Sequence, residues 1–437
     1  MRKTPIDYSI VTEKIKESGI PVVGRAKIRE IVRLVNEIEQ ATGESFIRME
    51  MGVPGLPPAE VGVNAEIEAL RNGVASKYPM IDGIPELKDQ ISLFVKNFLD
   101  IDVNAQNCIP TVGSMQGGFA AFMVAGRRNA KQDTVLFIDP GFPVQKQQLN
   151  VLGIPYETFD VYNYRGEKLR EKLESYLSKG NISSIIYSNP NNPSWICFDE
   201  TELKIIGEMS NKYDVVIMED LAYFAMDFRQ DLSKPGQAPY QASVAKYTNN
   251  YILLISSSKS FSYAGQRIGM MAISNELYKR RFADLKRFYS SDEFGHSMIY
   301  GALYALSSGT SHSAQYGLCA ILKAVNSGEF NFIDSIKVYG ENAKRMKEIF
   351  LANGFKFVYD MDGEKPLADG FYFTVSYPGL TGDELLEELL YYGVSAIALS
   401  TTGSDRTEGL RACVSQIRPE QFAHLQDRLK AFYQDHK

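Results

Sequence analysis

The sequence has little that would bind metal or nucleic acid. Only four cysteines (Cys108, Cys197, Cys319 and Cys413) and four histidines occur in 437 residues. No cysteine forms a C-x-x-C pair or lies near a histidine cluster. That argues against a metal site and against a disulfide framework. Scattered thiols fit a reducing cytoplasm, the expected location. There is no basic excess: 47 Lys and Arg stand against 53 Asp and Glu, a formal net charge of -6. A nucleic-acid partner is therefore not expected, although a local pocket on an acidic protein can still be positive. No apolar run reaches the ~18 residues of a membrane span, so no membrane partner is expected. The longest run, near "GGFAAFMVAG", ends at Arg127 and Arg128. The opening "MRKTPIDYSIVTEKIKES" has no apolar core of a secretory leader, and none is expected. There is no internal repeat and no low-complexity segment.

What remains is an ordinary globular composition, 44% apolar and 23% charged, with chain enough for two or three domains. Between about residues 108 and 273, short β-rich runs alternate with helical ones. The strand candidates are "CIPTV", "TVLFI", "SSIIYS", "DVVIM", "YILLIS" and "IGMMAI". Several are almost continuously apolar, the pattern of strands buried on both faces of a mostly parallel sheet. Residues 167–179 and 200–212 read as helices between them. The polar stretch 229–247 reads as a loop. The two ends of the chain have an α+β pattern, with helices at 28–42 and 333–353 and later strand-like runs in "GFYFTVSY" and "LRACVS". The expected fold is α/β: a three-layer large domain at 51–325, and a smaller α+β domain from 1–50, an N-terminal arm included, and 326–437.

Ligands of open α/β sheets sit at the carboxyl ends of the strands. Polar or glycine-rich segments follow five of the strand candidates: "TVGSMQGG", "DPGFP", "NPNNPSW", "EDLAY" and "SSSKS". Lys259, in "SSSKSFSYAGQRIG", follows a core strand. Such a lysine either snorkels to solvent or, partly desolvated, forms a Schiff base with an aldehyde. Ser256, Ser258 and Arg267 beside it suit a phosphate, with Gly265 and Gly269 relaxing the backbone. Asp220 either caps a turn or, if buried, needs a cation; Tyr223 can reach the same ligand. Asn192 lies in a run that reads first as a turn. Gly113, Ser114 and Met115 open an apolar helix whose N-terminus suits a phosphate. Phe142 reads as core before cofactor stack. Arg411, in a strand-like run, calls for a carboxylate, internal or from a substrate. His296 reads as a satisfied structural residue.

Together these segments resemble the pyridoxal-phosphate-dependent aminotransferases of fold type I, class I/II, over roughly residues 48–415. "SSSKSFSYAGQRIG" is similar to the family's Schiff-base motif, "NPNNPSW" to its Asn-Pro-Thr-Gly element, "EDLAY" to its Asp-x-x-Tyr, and "KYPMIDGIPELK" to its Tyr-x-x-x-x-Gly region. The resemblance implies pyridoxal 5'-phosphate bound as a Schiff base on Lys259. Asp220 would pair with the pyridine nitrogen, and Tyr223 and Asn192 would bond the phenolic oxygen. Gly113, Ser114, Met115, Ser256, Ser258 and Arg267 would hold the phosphate, and Phe142 would stack on the ring. Gly52, Asn192 and Arg411 would bind substrate, Arg411 through its α-carboxylate. Tyr78 resembles a tyrosine that reaches the phosphate of a neighbouring subunit, which implies a homodimer with shared active sites. The implied activity is amino transfer between an L-amino acid and a 2-oxo acid, the alternative being a lyase on the same fold, such as a carbon–sulfur β-elimination. Two departures stand out. Pro193-Ser194-Trp195 replaces Pro-Thr-Gly, and Met115 stands where some bacterial aspartate aminotransferases carry a lysine for a distal carboxylate.

Overall fold

A computed structural model describes residues 3–437. The chain divides into two compact units. The larger takes Leu56–Asn191 and Cys197–Ile336. The smaller takes the chain up to Gly55, Asn192–Ile196 and Lys337–Lys437. The borders thus fall after Gly55 and Ile336, against 50 and 325 in the sequence reading, and a short internal piece joins the smaller unit.

The larger unit is built on a seven-stranded sheet. Its strands are β1 (Cys108–Thr111), β2 (Thr134–Asp139), β3 (Tyr156–Asp160), β4 (Ile182–Ser188), β5 (Val216–Leu221), β6 (Tyr251–Ser256) and β7 (Gly269–Ile273), in the order β1-β7-β6-β5-β4-β2-β3. Strands β2 to β6 are mutually parallel. Strand β7 alone runs against both its neighbours, β1 and β6. The mostly parallel α/β architecture is therefore as the sequence implies. One strand went unread. The sheet-edge strand β3 is only half buried, and its "YETFD" lacks the apolar run that marks the inner strands. The inner strands are apolar because helices cover them. The helix Gly113–Ala125, for example, lays Phe122 and Val124 into a core shared with Ile186, Met218, Leu254 and Met271.

The topology brings the chemistry to one edge. Since β1 and β6 both oppose β7, strand β1 points the same way as the parallel set. The segments after β1, β2, β4, β5 and β6 therefore leave from the same side of the sheet. The stretch 229–247 is a loop, apart from one short turn at Val244–Lys246. It folds back on the helix Pro85–Leu99: Gly236 N donates to Asn97 O at 2.9 Å and Gln241 N to Phe98 O at 2.9 Å.

The smaller unit holds a four-stranded antiparallel sheet. Its strands are β8 (Lys356–Phe357), β9 (Tyr372–Ser376), β10 (Ile397–Ala398) and β11 (Gly409–Cys413), in the order β10-β11-β9-β8. Helices Ile28–Thr42, Gly382–Tyr391 and Gln421–Asp435 belong to the same unit.

One buried group ties the long loop to the sheet. Glu219, in β5, is fully buried and accepts from Ser243 Oγ at 2.5 Å, Val244 N at 3.3 Å and Tyr187 Oη at 3.3 Å. Burial pushes its carboxyl up to about 7. A carboxyl raised in the folded state binds its proton more tightly there than in the unfolded chain. Its stabilising effect is therefore full below the ordinary carboxyl pKa and is lost as pH climbs to about 7. We expect Glu219→Gln to remove up to about 3 kcal/mol of the stability lost over that window. Denaturant midpoints of both proteins between pH 5 and 8 would check this, and parallel profiles would refute it.

Candidate active site

In the larger unit, β6 ends at Ser256 and the chain makes one helical turn, Ser257–Ser260. Serines hold that turn. Ser256 Oγ caps it, accepting from Ser258 N at 3.1 Å. Ser257 Oγ donates to Ile268 O at 2.5 Å, and Ser260 Oγ to Phe224 O at 3.0 Å. Ser256 and Ser258 are buried, and Lys259 between them and the following segment is half-buried. Local hydroxyl-to-backbone bonds are what let a lysine leave a core strand in a fixed turn rather than a loose one.

Gly269 is registered with Thr111 on one side and Ser256 on the other. A side chain there would meet Ser114 N at 2.7 Å. Gly113 begins the next helix at φ 65°, and a Cβ on it would meet Arg267 Nη2 at 2.7 Å. The helix N-terminus, the serine turn and Arg267 are thus packed so closely that two glycines are required. Arg267 is itself exposed and donates from Nη1 to Ala264 O at 2.9 Å. Gly265 does not play the expected part, because it has open space and an ordinary φ. The left-handed positions of this stretch fall on Ser262 (φ 50°) and Arg267 (φ 49°).

Asp220 ends β5 beside β6, in register with Leu254. It is buried. Its Oδ2 accepts from Gln145 Nε2 at 2.8 Å and its Oδ1 from Ala222 N at 3.1 Å. It has no cationic partner among the described residues. Burial pushes its carboxyl up to about 6. Gln145 was not singled out in the sequence; it lies one turn past Phe142, the half-buried N-cap of helix Pro143–Leu152. Tyr223 is buried two residues beyond the end of β5. Met115 is 43% exposed, and its carbonyl accepts from Gln148 Nε2 at 3.1 Å. Tyr78 is 94% exposed. His296 departs from expectation, since its Nδ1 is buried without a hydrogen-bond partner among the described residues. Its ring lies 5.0 Å from that of Tyr300. No cluster of His, Cys, Asp and Glu suited to a metal ion occurs among the described residues.

The smaller unit brings Arg411, Asn192 and Gly52 together. Arg411 is buried in β11. Its Nη1 donates to Asn192 Oδ1 at 3.3 Å and its Nη2 to Glu50 O, while its Nε has no partner among the described residues. No carboxylate among the described residues meets it. The Glu50 carboxylate is taken by Arg48 at 2.8 Å and by Ser395 Oγ at 2.6 Å. A buried guanidinium with spare donors and no carboxylate suits an anion from outside the chain. One face of Arg411 lies 4.6 Å from the centre of the Tyr372 ring. Gly52 is explained by the same ring: a Cβ there would fall 1.9 Å from Tyr372 Oη.

These two groups of residues fit a phosphorylated, cationic aldehyde cofactor and a carboxylate substrate. Residues 45–429 match the family model described as aminotransferase class I and II. The chain belongs to the class I and II aminotransferases, enzymes of the pyridoxal-phosphate-dependent fold type I. A probable aspartate aminotransferase of Methanocaldococcus jannaschii is 25% identical over 339 residues, 78% of this chain and 80% of its own. An aspartate aminotransferase of Pyrococcus horikoshii is 26% identical over 263 residues, 59% of this chain and 62% of its own. Among solved structures, a single mutant of Thermus thermophilus aspartate aminotransferase superposes with a TM-score of 0.75 at 16% identity. It covers 99% of this chain and 100% of that one, and at that identity the likeness is one of fold.

The contact at Gly52 gives a direct test of this geometry. Gly52→Ala should destabilise the protein by about 1–3 kcal/mol through overpacking. Adding Tyr372→Phe removes the atom at 1.9 Å and leaves Cζ, at 3.1 Å, as the next contact. Most of the loss should then return, measured as a double-mutant cycle of unfolding free energies. Simple additivity would show that the two residues do not meet.

Proposed function

We propose that this aminotransferase moves an amino group between an L-amino acid and a 2-oxo acid, with pyridoxal 5'-phosphate held on Lys259. The observation that carries this reading is Asp220. It is a buried carboxylate without a cation among the described residues, one strand from a lysine set in a serine turn. Such a carboxylate is costly unless a cation meets it, and a protonated ring nitrogen is one. When bound, the cofactor supplies an electron sink and a carbonyl carbon for amines.

The chain's own residues bind, orient and move protons. Asp220 holds a positive charge on the ring nitrogen, and that charge in turn draws the carboxyl pKa back down. Ser256, Ser258, the N–H groups of Gly113, Ser114 and Met115, and Arg267 hold the phosphate. They combine hydroxyl donors, a helix N-terminus and a guanidinium fork. Tyr223 and Asn192 bond the phenolic oxygen, and Phe142 covers a ring face. Arg411, with Gly52 and Asn192 beside it, takes the substrate α-carboxylate and so fixes how Cα is presented. Lys259 Nζ would hold the cofactor's aldehyde carbon and, when free, would serve as the base that removes and redelivers the Cα proton.

We place the enzyme in the cytoplasm as a homodimer with shared sites. The dimer rests on the resemblance of Tyr78, which is 94% exposed, to the family's tyrosine that reaches a neighbouring subunit's site. No helix among the described residues is long and apolar enough to cross a membrane. The named relatives are transaminases, and elimination is left as an outcome of the test.

The test is a half-reaction panel. Protein loaded with pyridoxal phosphate is mixed singly with acidic, aromatic and neutral L-amino acids. A productive donor should convert the spectrum to that of pyridoxamine phosphate and release one 2-oxo acid per site. Pyruvate and ammonia formed without an oxo-acid acceptor would instead mark a lyase, and no half-reaction with any donor would overturn the reading. Lys259→Ala should abolish borohydride-reducible attachment of the cofactor. Gly113→Ala should displace Arg267 and weaken cofactor binding by roughly tenfold or more. Unchanged affinity on reconstitution would remove Arg267 from the phosphate site.

A further inference from the structure

Trp195 is the chain's single tryptophan, and it stands where the family's element has glycine. It sits at φ 65°, in the left-handed region that bulky residues rarely enter. Its side chain is among the most deeply buried in the molecule. Such a backbone is kept only where surrounding structure over-determines it, and here the packing does so. A Cβ on Gly370 would fall 2.1 Å from the indole, so Gly370 is bare to let it in. The indole then meets the Tyr372 ring edge-on, at 6.1 Å and 71°.

Tyr372 is the next link. In the sheet, Arg411 of β11 is directly opposite Thr374 of β9. Tyr372, two residues from Thr374, is its diagonal neighbour on the same face. The ring of Tyr372 therefore lies under the guanidinium of Arg411 at 4.6 Å, while its hydroxyl fills the space beside Gly52. Hydrogen bonds from Nη1 and Nη2 fix the guanidinium at only two atoms. The ring of Tyr372 adds a third contact, its centre 4.6 Å from Cζ. Asn192 and Trp195 lie three residues apart in one short turn, so the segment that bonds Arg411 is also the one that packs against the ring beneath it.

We propose that Trp195 and Tyr372 are positioning residues for Arg411 and set the enzyme's affinity for a carboxylate. This rests on the reading that Arg411 takes the substrate carboxylate. A buried cation over an aromatic face is worth enough to matter in binding, and a planar fork held in place loses less freedom when an anion arrives. The pair also has slack on its other side. Trp195 and Tyr372 line a cavity of about 120 Å³ together with Phe357, Tyr359 and Lys347. A smaller side chain at either position would open onto that space, and the ring under Arg411 would lose its fixed plane.

The experiment uses the cofactor-loaded enzyme and propanoate, a carboxylate with no side chain to be excluded. Tyr372→Leu should raise the propanoate Kd roughly tenfold. The KM of the amino donor should rise in parallel, with kcat changed less than about twofold, since the interaction is lost equally from ground and transition states. Tyr372→Phe, which keeps the ring, should restore binding. A merely structural role would lower the melting temperature and leave Kd and KM in place. If Tyr372→Leu does not fold, Trp195→Phe decides: a raised Kd supports the proposal and an unchanged one overturns it. Arg411→Lys separates the two levels. If it weakens propanoate binding while folded Tyr372→Leu does not, the positioning role is wrong and the carboxylate reading stands. If Arg411→Lys binds as the unaltered enzyme does, or the unaltered enzyme binds no propanoate, the carboxylate reading falls and the positioning role with it.

Discussion

The larger unit is organised around a carboxylate that gains nothing from being where it is. Asp220 has only Gln145 and a backbone N–H for company, and burial holds its pKa near 6. At neutral pH that shift sets roughly 3 kcal/mol against folding. The sheet tolerates it because β5 is held on both sides, by β4 and β6, and the end of a central strand cannot swing out to water. Strongly perturbed buried carboxyls are frequent at functional sites, and structural networks hold them as well. Glu219, one residue back and on the other face, shows the contrast. It is just as deeply buried, but three donors serve it, and it is used to anchor a loop.

The other parts of the site follow from where strands end. Lys259 leaves β6 in a turn that three serines hold, so no apolar side chain is needed to fix it. Arg267 closes over Gly113 because β1, β7 and β6 are adjacent and Gly269 sits between their ends. The close approach of backbones leaves no room for a Cβ at Gly269, while Gly113 is called for by its φ of 65° and by the Arg267 guanidinium beside it. This is a steric requirement, and it would hold whatever ligand the edge carried.

Much of this was legible because it is local. Apolar runs predict inner strands, since burial on both faces leaves little choice of residue. Strand β3 escaped because an edge strand has such a choice and uses Glu157, Thr158 and Asp160. Lys259, Asp220 and Asn192 were legible from their neighbours in sequence. Gln145, Trp195 and Tyr372 were not. What they do depends on a partner far away in the chain, and a glutamine in a helix or a tyrosine in a strand carries no sign of it. Gly265 misled for the opposite reason. A glycine in a turn suggests a left-handed backbone, but the structure places that conformation on Ser262 and Arg267. The buried Nδ1 of His296 likewise depends on packing that no local pattern records.

Among the described residues, Asp220 in the larger unit and Arg411 in the smaller are both buried without an opposite charge beside them. They are opposite in sign, and the ligands the family uses are opposite as well, a cationic ring and an anionic carboxylate. A group that binds the folded chain and not the unfolded one stabilises it by mass action. In the proposed roles, cofactor would relieve the larger unit and substrate would relieve the smaller one only while bound. If Arg411 takes a substrate carboxylate, as proposed, it would release that ligand in every turnover and be better served by being fixed in place than by being compensated within the protein. An internal carboxylate beside Arg411 would stabilise the fold and compete with every substrate. The Tyr372 ring, itself packed against Trp195, lies against the guanidinium without offering it a charge.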